Sequence, residues 1–459
     1  MRYLSTRGQI EPVSFCDAVM MGLARDKGLL LPESIPDVRG ELARWATLSY
    51  TELAYEVVRL FATDIPAAEL RDIIERSYST FTHEEVVPLV PVGELYVQEL
   101  FHGPTLAFKD CALQVLGNLF EHILKARGGR LNILGATSGD TGSAAIYGVR
   151  GKAGIHIFIL HPDGKVSPVQ ERQMTAVLDA NVHNVAIAGT FDDGQRIVKE
   201  LFGDLEFKDA YDLGAVNSVN WARVLVQVVY YFHGALRACR ESGRESIRVC
   251  VPTGNFGNIF AGWLAREMGA PISQLILATN ENDILARYFR TGEYSMGDVH
   301  PTLSPSMDIQ VASNFERFLY YAVGQDPAEV RRLMAAFAES GRITVPLAAG
   351  EPAIIAGVGN TAETLATIGE TYRTSQYVLD PHSAVGVAVA NRLRAAGEPI
   401  VCLATAHPAK FADAVKQATG RDDLTHHPAI DGLMDAETRC AKLPATTDAI
   451  RQHIVQTLG

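Results

Sequence analysis

One lysine stands in a setting that gives its amine the conditions for chemistry. Lys109 follows a Gly-Pro turn in the segment FHGPTLAFKDCALQ, and Leu106, Ala107 and Phe108 precede it without a second charge. Apolar surroundings disfavour the charged form of a lysine and lower its pKa, which is what a lysine that forms a Schiff base or transfers protons requires. Position alone favours a solvated surface lysine, so the apolar neighbours are the feature that indicates a reactive amine.

A glycine-containing turn, PTGNFGN, offers a site for an anion. It follows the segment IRVCV and precedes IFAGWLAREMG, which predicts a strand, a turn and a helix. Ligands of open α/β sheets bind beyond the carboxyl ends of the strands, where backbone amides and helix N-termini point at an anion. The turn therefore predicts a cup of N–H donors for a phosphate that needs no lysine, and an ordinary strand-to-helix turn is the alternative. The residues of this cup are Gly254, Asn255, Phe256, Gly257 and Asn258.

A second turn, GATSGDTGS at residues 135–143, looks like a nucleotide-binding loop. It lacks the GKS or GKT ending whose lysine reaches the outer phosphates, so a kinase or ATPase is not expected. The turn instead gathers short hydroxyl side chains around Gly139, and such a cluster predicts a site for a carboxylate. The hydroxyl residues are Thr137, Ser138 and Thr141.

The elements that must position these turns alternate along the chain. From about residue 95, short β-branched runs end in glycine-rich turns and are followed by helical patterns, which predicts parallel sheet covered by helices on both faces. Residues 1–94 predict a mostly helical region, with amphipathic stretches at 50–61 and 67–78. The β-branched runs cover residues 131–134, 155–160, 182–187, 247–251, 274–279 and 399–404.

Length and composition exclude several classes of protein. A chain of 459 residues allows two or three domains, and 47% hydrophobic with 20% charged residues is typical of a globular protein with a large core. The net charge of −12 argues against binding to nucleic acid. No uncharged apolar stretch reaches the length of a membrane helix, and the apolar segment at 15–31 does not fit a secretory signal. The six cysteines form no CxxC pair and no metal-ligand spacing, so we expect reduced thiols in the cytoplasm, no metal and no membrane partner.

Several longer motifs occur in one order along nearly the whole chain. They are STRG and GLARDKGLLLPESIP near the N-terminus, followed by HGPTLAFKD, TSGDTGSA, LHPDGKVSPVQERQM, NSVNWAR, PTGNFGN, SPSMDI, LDPHSAVG and TAHPAKF. Together they resemble the threonine synthase family, which belongs to the fold type II group of pyridoxal-phosphate enzymes. The resemblance implies an α/β core at 95–459 made of two discontinuous parallel-sheet subdomains, the smaller at approximately 130–215, with the cofactor in the cleft between them.

The resemblance also implies how the cofactor is held. Lys109 would form the Schiff base with the aldehyde of pyridoxal 5'-phosphate and then carry protons, and the cup at 254–258 would hold the cofactor phosphate. Thr405, in TAHPAKF, is similar to the hydroxyl residue that faces the pyridine nitrogen, which makes the ring a weaker electron sink than an Asp would. Asp140 stands where relatives of this fold type often carry Asn beside the phenolic oxygen, and its role stays open. The segments that resemble the family leave five further residues without a role: His102, Ser306, Asp308, Asp380 and His382.

The segment NSVNWAR carries the expectation about the substrate. Helix-start amides, a side-chain amide, a hydroxyl and a guanidinium fork make a phosphate site, and the family's NSxNxxR pattern identifies the ligand as the phosphate of O-phospho-L-homoserine. By the same resemblance the hydroxyl turn at 137–141 clasps the substrate carboxylate. The residues of the second phosphate site are Asn217, Ser218, Asn220 and Arg223.

The implied reaction converts O-phospho-L-homoserine and water to L-threonine and phosphate by γ-elimination and β-hydration, the last step of threonine biosynthesis. Two alternatives stay open at this point: a threonine synthase-like phospholyase that releases a 2-oxo acid, and a catalytically silent regulatory paralogue. An intact Lys109 and an intact second phosphate site argue against silence. We expect a monomer or a homodimer.

Overall fold

The computed structural model describes residues 1–137, 139–347, 352–395 and 397–459. Its first part consists of short strands and four helices. Both amphipathic stretches of the sequence form helices there, and a capping box of Ser49 and Glu52 starts the first of these two helices. The elements are β1 (Tyr3–Ser5), α1 (Phe15–Met21), β2 (Leu30–Pro32), α2 (Leu42–Trp45), α3 (Tyr50–Val58), α4 (Ala67–Tyr78) and β3 (Leu89–Val92).

The remainder of the chain alternates strands with helices. The first half contains β4 (Leu95–Glu99), α5 (Lys109–Arg127), β5 (Leu131–Ala136), α6 (Asp140–Val149), β6 (Ile155–Pro162), α7 (Pro168–Thr175), β7 (Val182–Ala188), α8 (Phe191–Gly203), α9 (Leu205–Ala210), β8 (Leu213–Gly214) and α10 (Trp221–Ser242). The second half contains β9 (Ile247–Pro252), α11 (Gly257–Met268), β10 (Ile272–Thr279), α12 (Ile284–Thr291), β11 (Glu293–Ser295), α13 (Phe315–Ala322), α14 (Pro327–Ser340), β12 (Arg342–Thr344), β13 (Ile354–Val358), α15 (Thr361–Ser375), α16 (Pro381–Leu393), β14 (Ile400–Ala404), α17 (Ala412–Thr419), α18 (Pro428–Asp431), β15 (Ala441–Pro444) and α19 (Thr447–Leu458).

Two sheets organise these elements. The larger has the order β13-β10-β9-β14-β4-β3 and is parallel apart from the antiparallel pair of β3 and β4. The smaller has the order β15-β7-β6-β5-β8 and is parallel throughout. The predicted fold class, α/β with two parallel sheets, is confirmed. The boundaries of the predicted domains stay a prediction.

The central strands of the larger sheet are buried along their whole length. Every residue of β9 and β14 is buried, and α10 and α16 pack on these two strands. Parallel strands covered by helices read as near-continuous apolar runs, which explains IRVCV and IVCLA. Beyond the carboxyl ends of these strands lie the turn at 254–258 and Thr405, so the sheet brings two predicted site elements to one edge.

Helices α5 and α6 cross with their backbones in contact. A Cβ atom added to Gly117 of α5 would lie 1.8 Å from the carbonyl oxygen of Gly148 in α6, and one added to Gly148 would lie 2.5 Å from the carbonyl oxygen of Leu113. Only glycine fits at both positions, because a side chain would push the helices apart. The two helices begin at Lys109 and Asp140, so this crossing fixes the relative placement of two predicted site residues.

Candidate active site

Lys109 is the first residue of α5, and its side chain is largely buried. Only 11% of the side chain is exposed, and its Nζ lies 3.5 Å from Ser306 Oγ and 3.5 Å from Asp140 Oδ2. Burial is the largest influence on the amine and lowers the pKa of Lys109; Asp140 opposes this shift, whereas Lys410 and Arg223 add to it. The amine therefore loses its proton more readily than a surface lysine does.

Asp140 begins α6 and lies between two lysines. Its Oδ1 is 2.8 Å from Lys410 Nζ and accepts a hydrogen bond from Gln170 Nε2 at 2.9 Å, while its Oδ2 faces Lys109. Burial alone would raise the pKa of Asp140, but Lys410 and Lys109 outweigh burial and hold the pKa of this carboxyl well below its usual range. Asp140 is thus a buried carboxylate that stays ionised between two lysine side chains, with Lys410 the nearer.

Lys410 lies in the motif TAHPAKF, and the sequence pattern assigns it no role. The side chain is fully buried, and Nζ also donates to the carbonyl oxygen of Thr105 at 2.8 Å. A lysine just after a strand end is usually solvated, so the residue type carries no signal of its burial. The signal available in the sequence was the wholly apolar strand IVCLA directly before this motif.

The turn at 254–258 forms a tight cup between β9 and α11. A Cβ atom on Gly254 would lie 2.5 Å from the carbonyl oxygen of Ser306, and Phe256 adopts a left-handed conformation with φ 65°. The first N–H groups of a helix have no partner inside it, so the start of α11 at Gly257 presents free donors. Asn258 accepts from the hydroxyls of Tyr230 and Tyr231, and its buried Nδ2 has no hydrogen-bond partner in the part of the chain that the structure describes.

The segment at 217–223 leads into α10 and carries a buried guanidinium. Nε and Nη1 of Arg223 are buried without a hydrogen-bond partner among the described residues, and burial lowers the pKa of Arg223 to about 10. Asn217 Oδ1 is also buried and unpartnered within those residues, and Ser218 Oγ lies 2.9 Å from Ser313 Oγ. A buried cation that lacks an acid is costly unless an anion joins it, so the site is suited to an anionic ligand.

The fourth predicted residue of this segment has a structural role. Asn220 caps α10, since its Oδ1 accepts from the backbone N–H of Ala222 at 3.0 Å, and its Nδ2 donates to the carbonyl oxygen of Val19 at 2.8 Å. Each end of this amide already has a partner from the fold. Asn220 therefore positions the segment, and a direct contact of its side chain with a phosphate stays a prediction.

The hydroxyl turn before α6 is described except for Ser138, which lies outside the described residues. Thr137 Oγ1 accepts from the backbone N–H groups of Gly139 and Gly142 at 3.1 and 3.0 Å. Gly139 has φ 146°, and a Cβ atom there would meet Gln170 at 2.3 Å, so the turn requires glycine. Thr141 is the second residue of α6 and is half-buried.

Thr405 and three residues whose role the sequence left open meet near Lys109. The Thr405 carbonyl accepts from the backbone N–H of Phe108 at 2.8 Å, and its own N–H donates to Ser383 Oγ. His382 accepts from the backbone N–H of Ser306 at Nε2, and its Nδ1 lies 2.9 Å from Asp380 Oδ1. Ser306, Asp380 and His382 thus support the strand end and the lysine.

Two other open residues belong to networks of the fold. His102 Nε2 lies 2.7 Å from Glu99 Oε2. Asp308 accepts from Asn280 Nδ2 at 2.7 Å and from the hydroxyl of Thr302 at 2.7 Å. No group of three or more His, Cys, Asp or Glu residues suited to a metal is found among the described residues, and none of their helices is long and apolar enough to cross a bilayer.

Three family models cover the chain. The model described as "Threonine synthase N terminus" matches residues 2–78, "Pyridoxal-phosphate dependent enzyme" matches residues 81–359, and "Threonine synthase, C-terminal" matches residues 383–454. The largest match spans more than half of the chain and includes Lys109 and both candidate phosphate sites.

Curated relatives and solved structures agree with these matches. The chain is 47% identical to a threonine synthase of Pseudomonas aeruginosa, with 99% of this chain and 98% of the relative covered, and 45% identical to one of Schizosaccharomyces pombe, with 100% and 98% covered. A crystal structure of PLP-bound threonine synthase from Brucella melitensis aligns with a TM-score of 0.95 at 46% identity, over 100% of this chain and 99% of that one. The chain therefore belongs to the threonine synthase family of pyridoxal-phosphate-dependent enzymes.

Proposed function

We propose that this chain converts O-phospho-L-homoserine and water to L-threonine and phosphate, with Lys109 as the proton carrier and Arg223 as the partner of the substrate phosphate. The observation that carries this proposal is the buried Arg223, whose Nε and Nη1 have no partner in the described part of the chain. Arg223 is close enough to Lys109 to lower the pKa of that amine. An anion bound at the guanidinium is therefore near the group that would move protons.

The residues present fit pyridoxal phosphate. Lys109 supplies the amine, the cup at 254–258 supplies neutral donors for the cofactor phosphate, and the unpartnered Asn258 Nδ2 adds a buried donor beside it. Thr405 would face the pyridine nitrogen, and Asp140 would lie beside the phenolic oxygen. When bound, the cofactor supplies an electron sink for the pair left when a carbon loses its proton.

Lys109 would take a proton from Cα of the substrate and then one from Cβ, and it would return one at Cγ after the phosphate leaves. After water adds its oxygen to Cβ, Lys109 would return the other proton at Cα, and the proton lost by the water would balance the charge of the released phosphate. A base must be neutral to accept a proton, and the lowered pKa of Lys109 raises the fraction of neutral amine. The Ser306 hydroxyl, 3.5 Å from Nζ, would orient the amine between these transfers.

Arg223, Asn217 and Ser218 would hold the substrate phosphate while the Cγ–O bond breaks. Negative charge grows on the phosphate in that step, so a buried guanidinium stabilises the transition state more than the ground state. Asn220 would hold this segment in place through its cap of α10.

The substrate carboxylate would bind at the start of α6. Thr137 shapes this turn by accepting from two backbone N–H groups, and Thr141 offers a hydroxyl on the first turn of the helix. A helix N-terminus favours a carboxylate because its first N–H groups are unpaired. Ser138 would contribute its hydroxyl to the same clasp.

The test is a product assay of the purified enzyme with O-phospho-L-homoserine. We expect equal amounts of threonine and phosphate and loss of both products in Lys109→Ala. Formation of a 2-oxo acid and ammonia in place of threonine would identify the phospholyase alternative, and absence of turnover in a pyridoxal-phosphate-loaded sample would identify a silent paralogue.

We place this activity in the cytoplasm, in a monomer or a homodimer. All six cysteines are free thiols, and Cys111, Cys250 and Cys402 are buried. Unpaired thiols are typical of a reducing compartment.

A further inference from the structure

Lys410 is a buried cation that the proposed reaction does not use. It lies in the 3₁₀ turn Pro408–Phe411 after β14, and its side chain is fully buried. Two contacts account for its placement: Nζ is 2.8 Å from Asp140 Oδ1 and 2.8 Å from the carbonyl oxygen of Thr105. Thr105 in turn is held by Asp110, which accepts from both its N–H and its hydroxyl at 2.8 and 2.7 Å.

The Asp140 carboxylate therefore has a near cation and a far cation. Lys410 Nζ lies 2.8 Å from one oxygen, whereas Lys109 Nζ lies 3.5 Å from the other. A carboxylate with a single buried cation would form a close pair with it and hold it as an ammonium ion. Because Lys410 takes the nearer position, the Asp140 charge is already balanced before Lys109 is counted.

We propose that Lys410 is a positioning residue that occupies the Asp140 carboxylate and so keeps Lys109 from being trapped as the ammonium partner of that carboxylate. The inference rests on the proposed role of Lys109 as the proton carrier. Under this proposal Lys109, in HGPTLAFKD, moves protons, and Lys410, in TAHPAKF, balances the charge of Asp140.

The other titratable groups around this cluster do not replace Lys410. Arg223, on α10, adds to the lowering of the pKa of Lys109, and His382, on α16, adds to the lowering of the pKa of Asp140. Asp110 faces Lys410 from the first turn of α5; burial raises the pKa of Asp110 to about 6, while Thr105 and Lys410 act in the opposite direction. The single carboxylate that faces Lys109 among these groups is Asp140, and Lys410 is its nearest cation.

The sign of the effect follows from the charges. Lys410 and Asp140 together present almost no net charge to Lys109, whereas Asp140 alone presents a negative charge. Removing the Lys410 charge therefore raises the pKa of Lys109 and lowers its neutral fraction at a given pH. Removing the Asp140 charge as well cancels this change.

The test measures the Lys109 amine directly by competitive acetylation of the full-length chain without cofactor. A trace of acetic anhydride is added across a pH series, and peptide mass spectrometry gives the labelling of Lys109 relative to the exposed Lys199 in the same sample. For Lys410→Met we expect the labelling midpoint of Lys109 to move up by about one pH unit. Lys410→Arg, which keeps the charge, should leave the midpoint near that of the parent protein.

The double variant Lys410→Met/Asp140→Asn separates charge balance from simple packing. We expect its midpoint to return toward the parent value, because the unopposed carboxylate is gone; a packing defect would persist or deepen. If Lys410→Met does not fold, Lys410→Gln keeps a donor for the Thr105 carbonyl and removes the charge. An unchanged midpoint in a folded Lys410→Met or Lys410→Gln protein, or a shift that Asp140→Asn does not reverse, would overturn the proposal.

The loaded enzyme provides the second measurement. In Lys410→Met the acidic limb of the kcat profile should move to higher pH, in the same direction as the acetylation midpoint, because kcat reports the substrate complex, in which the Lys109 amine is no longer bound to the cofactor. Activity with an unmoved midpoint overturns the role of Lys410 and leaves the proposed function intact. A moved midpoint in a protein that does not act on O-phospho-L-homoserine supports charge balance by Lys410 and overturns the proposed function.

Discussion

The two candidate phosphate sites hold an anion by different means. The cup at 254–258 has no charged residue and offers backbone N–H groups at the start of α11. The segment at 217–223 carries Arg223, whose guanidinium is buried with two nitrogens unpartnered in the described structure. Neutral dipoles suit a group that stays bound through many turnovers, whereas a full charge suits an anion whose charge grows as it leaves. The difference supports the proposal that the segment at 217–223 binds the leaving phosphate and that the cup at 254–258 retains the cofactor.

The two sites share one support. Asn314 Nδ2 donates to the carbonyl oxygens of both Ser218 and Asn255, each at 3.1 Å. The hydroxyl of Ser313 similarly contacts Ser218 Oγ and donates to Asn255 Oδ1 at 3.3 Å. The two sites therefore differ in the groups that would bind the anion, whereas the same two residues, Ser313 and Asn314, contact both segments.

The largest expected effect comes from a residue outside both sites. Lys109→Ala should lower kcat by about 10⁴-fold or more, because the amine that moves protons is gone. Binding of inorganic phosphate at the 217–223 segment, measured by calorimetry, should stay within a few-fold of the parent protein. Retention of near-parental threonine formation would show that another group is the base.

Arg223→Ala should have the next largest effect, confined to one site. We expect kcat/KM for O-phospho-L-homoserine to fall by about 30- to 1000-fold, or about 2 to 4 kcal/mol, because a charge-assisted contact to the leaving phosphate is lost. The amount of bound cofactor, read from its absorbance, should not change, since the proposed site of the cofactor phosphate is the cup at 254–258.

A matched control for this variant lies on the same helix. Arg240 is exposed near the end of α10, so Arg240→Ala should alter kcat/KM by no more than a few-fold. A loss of cofactor in Arg223→Ala without a change in KM would mean that the two phosphate sites have been exchanged.

Gly254→Ala should affect the other site. Its Cβ would lie 2.5 Å from the carbonyl oxygen of Ser306, so the turn must shift, and we expect about 10- to 100-fold weaker cofactor retention after dialysis. KM measured with saturating cofactor should change little. Gly203→Ala, where a Cβ meets no atom within 4 Å, is the control and should retain cofactor normally.

The smallest expected effect comes from a substitution that affects both sites. Asn314→Ala removes one hydrogen bond from each segment and should weaken both cofactor retention and substrate binding by roughly three- to tenfold. Measurement of both constants on one preparation checks this. An effect on one site alone would show that the segments are supported independently.

The fold was predictable from local sequence patterns, because parallel strands that are buried on both faces consist of continuous apolar residues. Segments such as IRVCV and IVCLA became the fully buried β9 and β14. The strand β15 at 441–444 was not predictable, since its exposure alternates over only four residues and it pairs with the distant β7. Short edge strands depend on a partner that local sequence does not reveal.

Residue type and spacing pointed to the candidate site residues, whereas contacts between distant parts of the chain could not be predicted from the sequence. The apolar neighbours of Lys109 predict a buried amine, and its side chain is 11% exposed. Lys410 was missed because its polar partners, Thr105 and Asp140, come from distant parts of the chain. The structural contact of Asn220 could not be predicted, because its partner, the Val19 carbonyl, comes from the N-terminal region. The roles of the site residues and the domain boundaries stay predictions.

The contact of Gly117 with Gly148 is the point about which a rotation of α5 against α6 would move the two ends of these helices. Gly117 follows Lys109 by eight residues, and Gly148 follows Asp140 by eight, so each site residue lies about 12 Å along its helix from the crossing. A rotation of about 5° at this contact carries either end through about 1 Å. The distance between the Lys109 amine and the Asp140 carboxylate thus depends on a contact that includes neither residue. A substitution at Gly117 or Gly148 would change that distance and with it the activity.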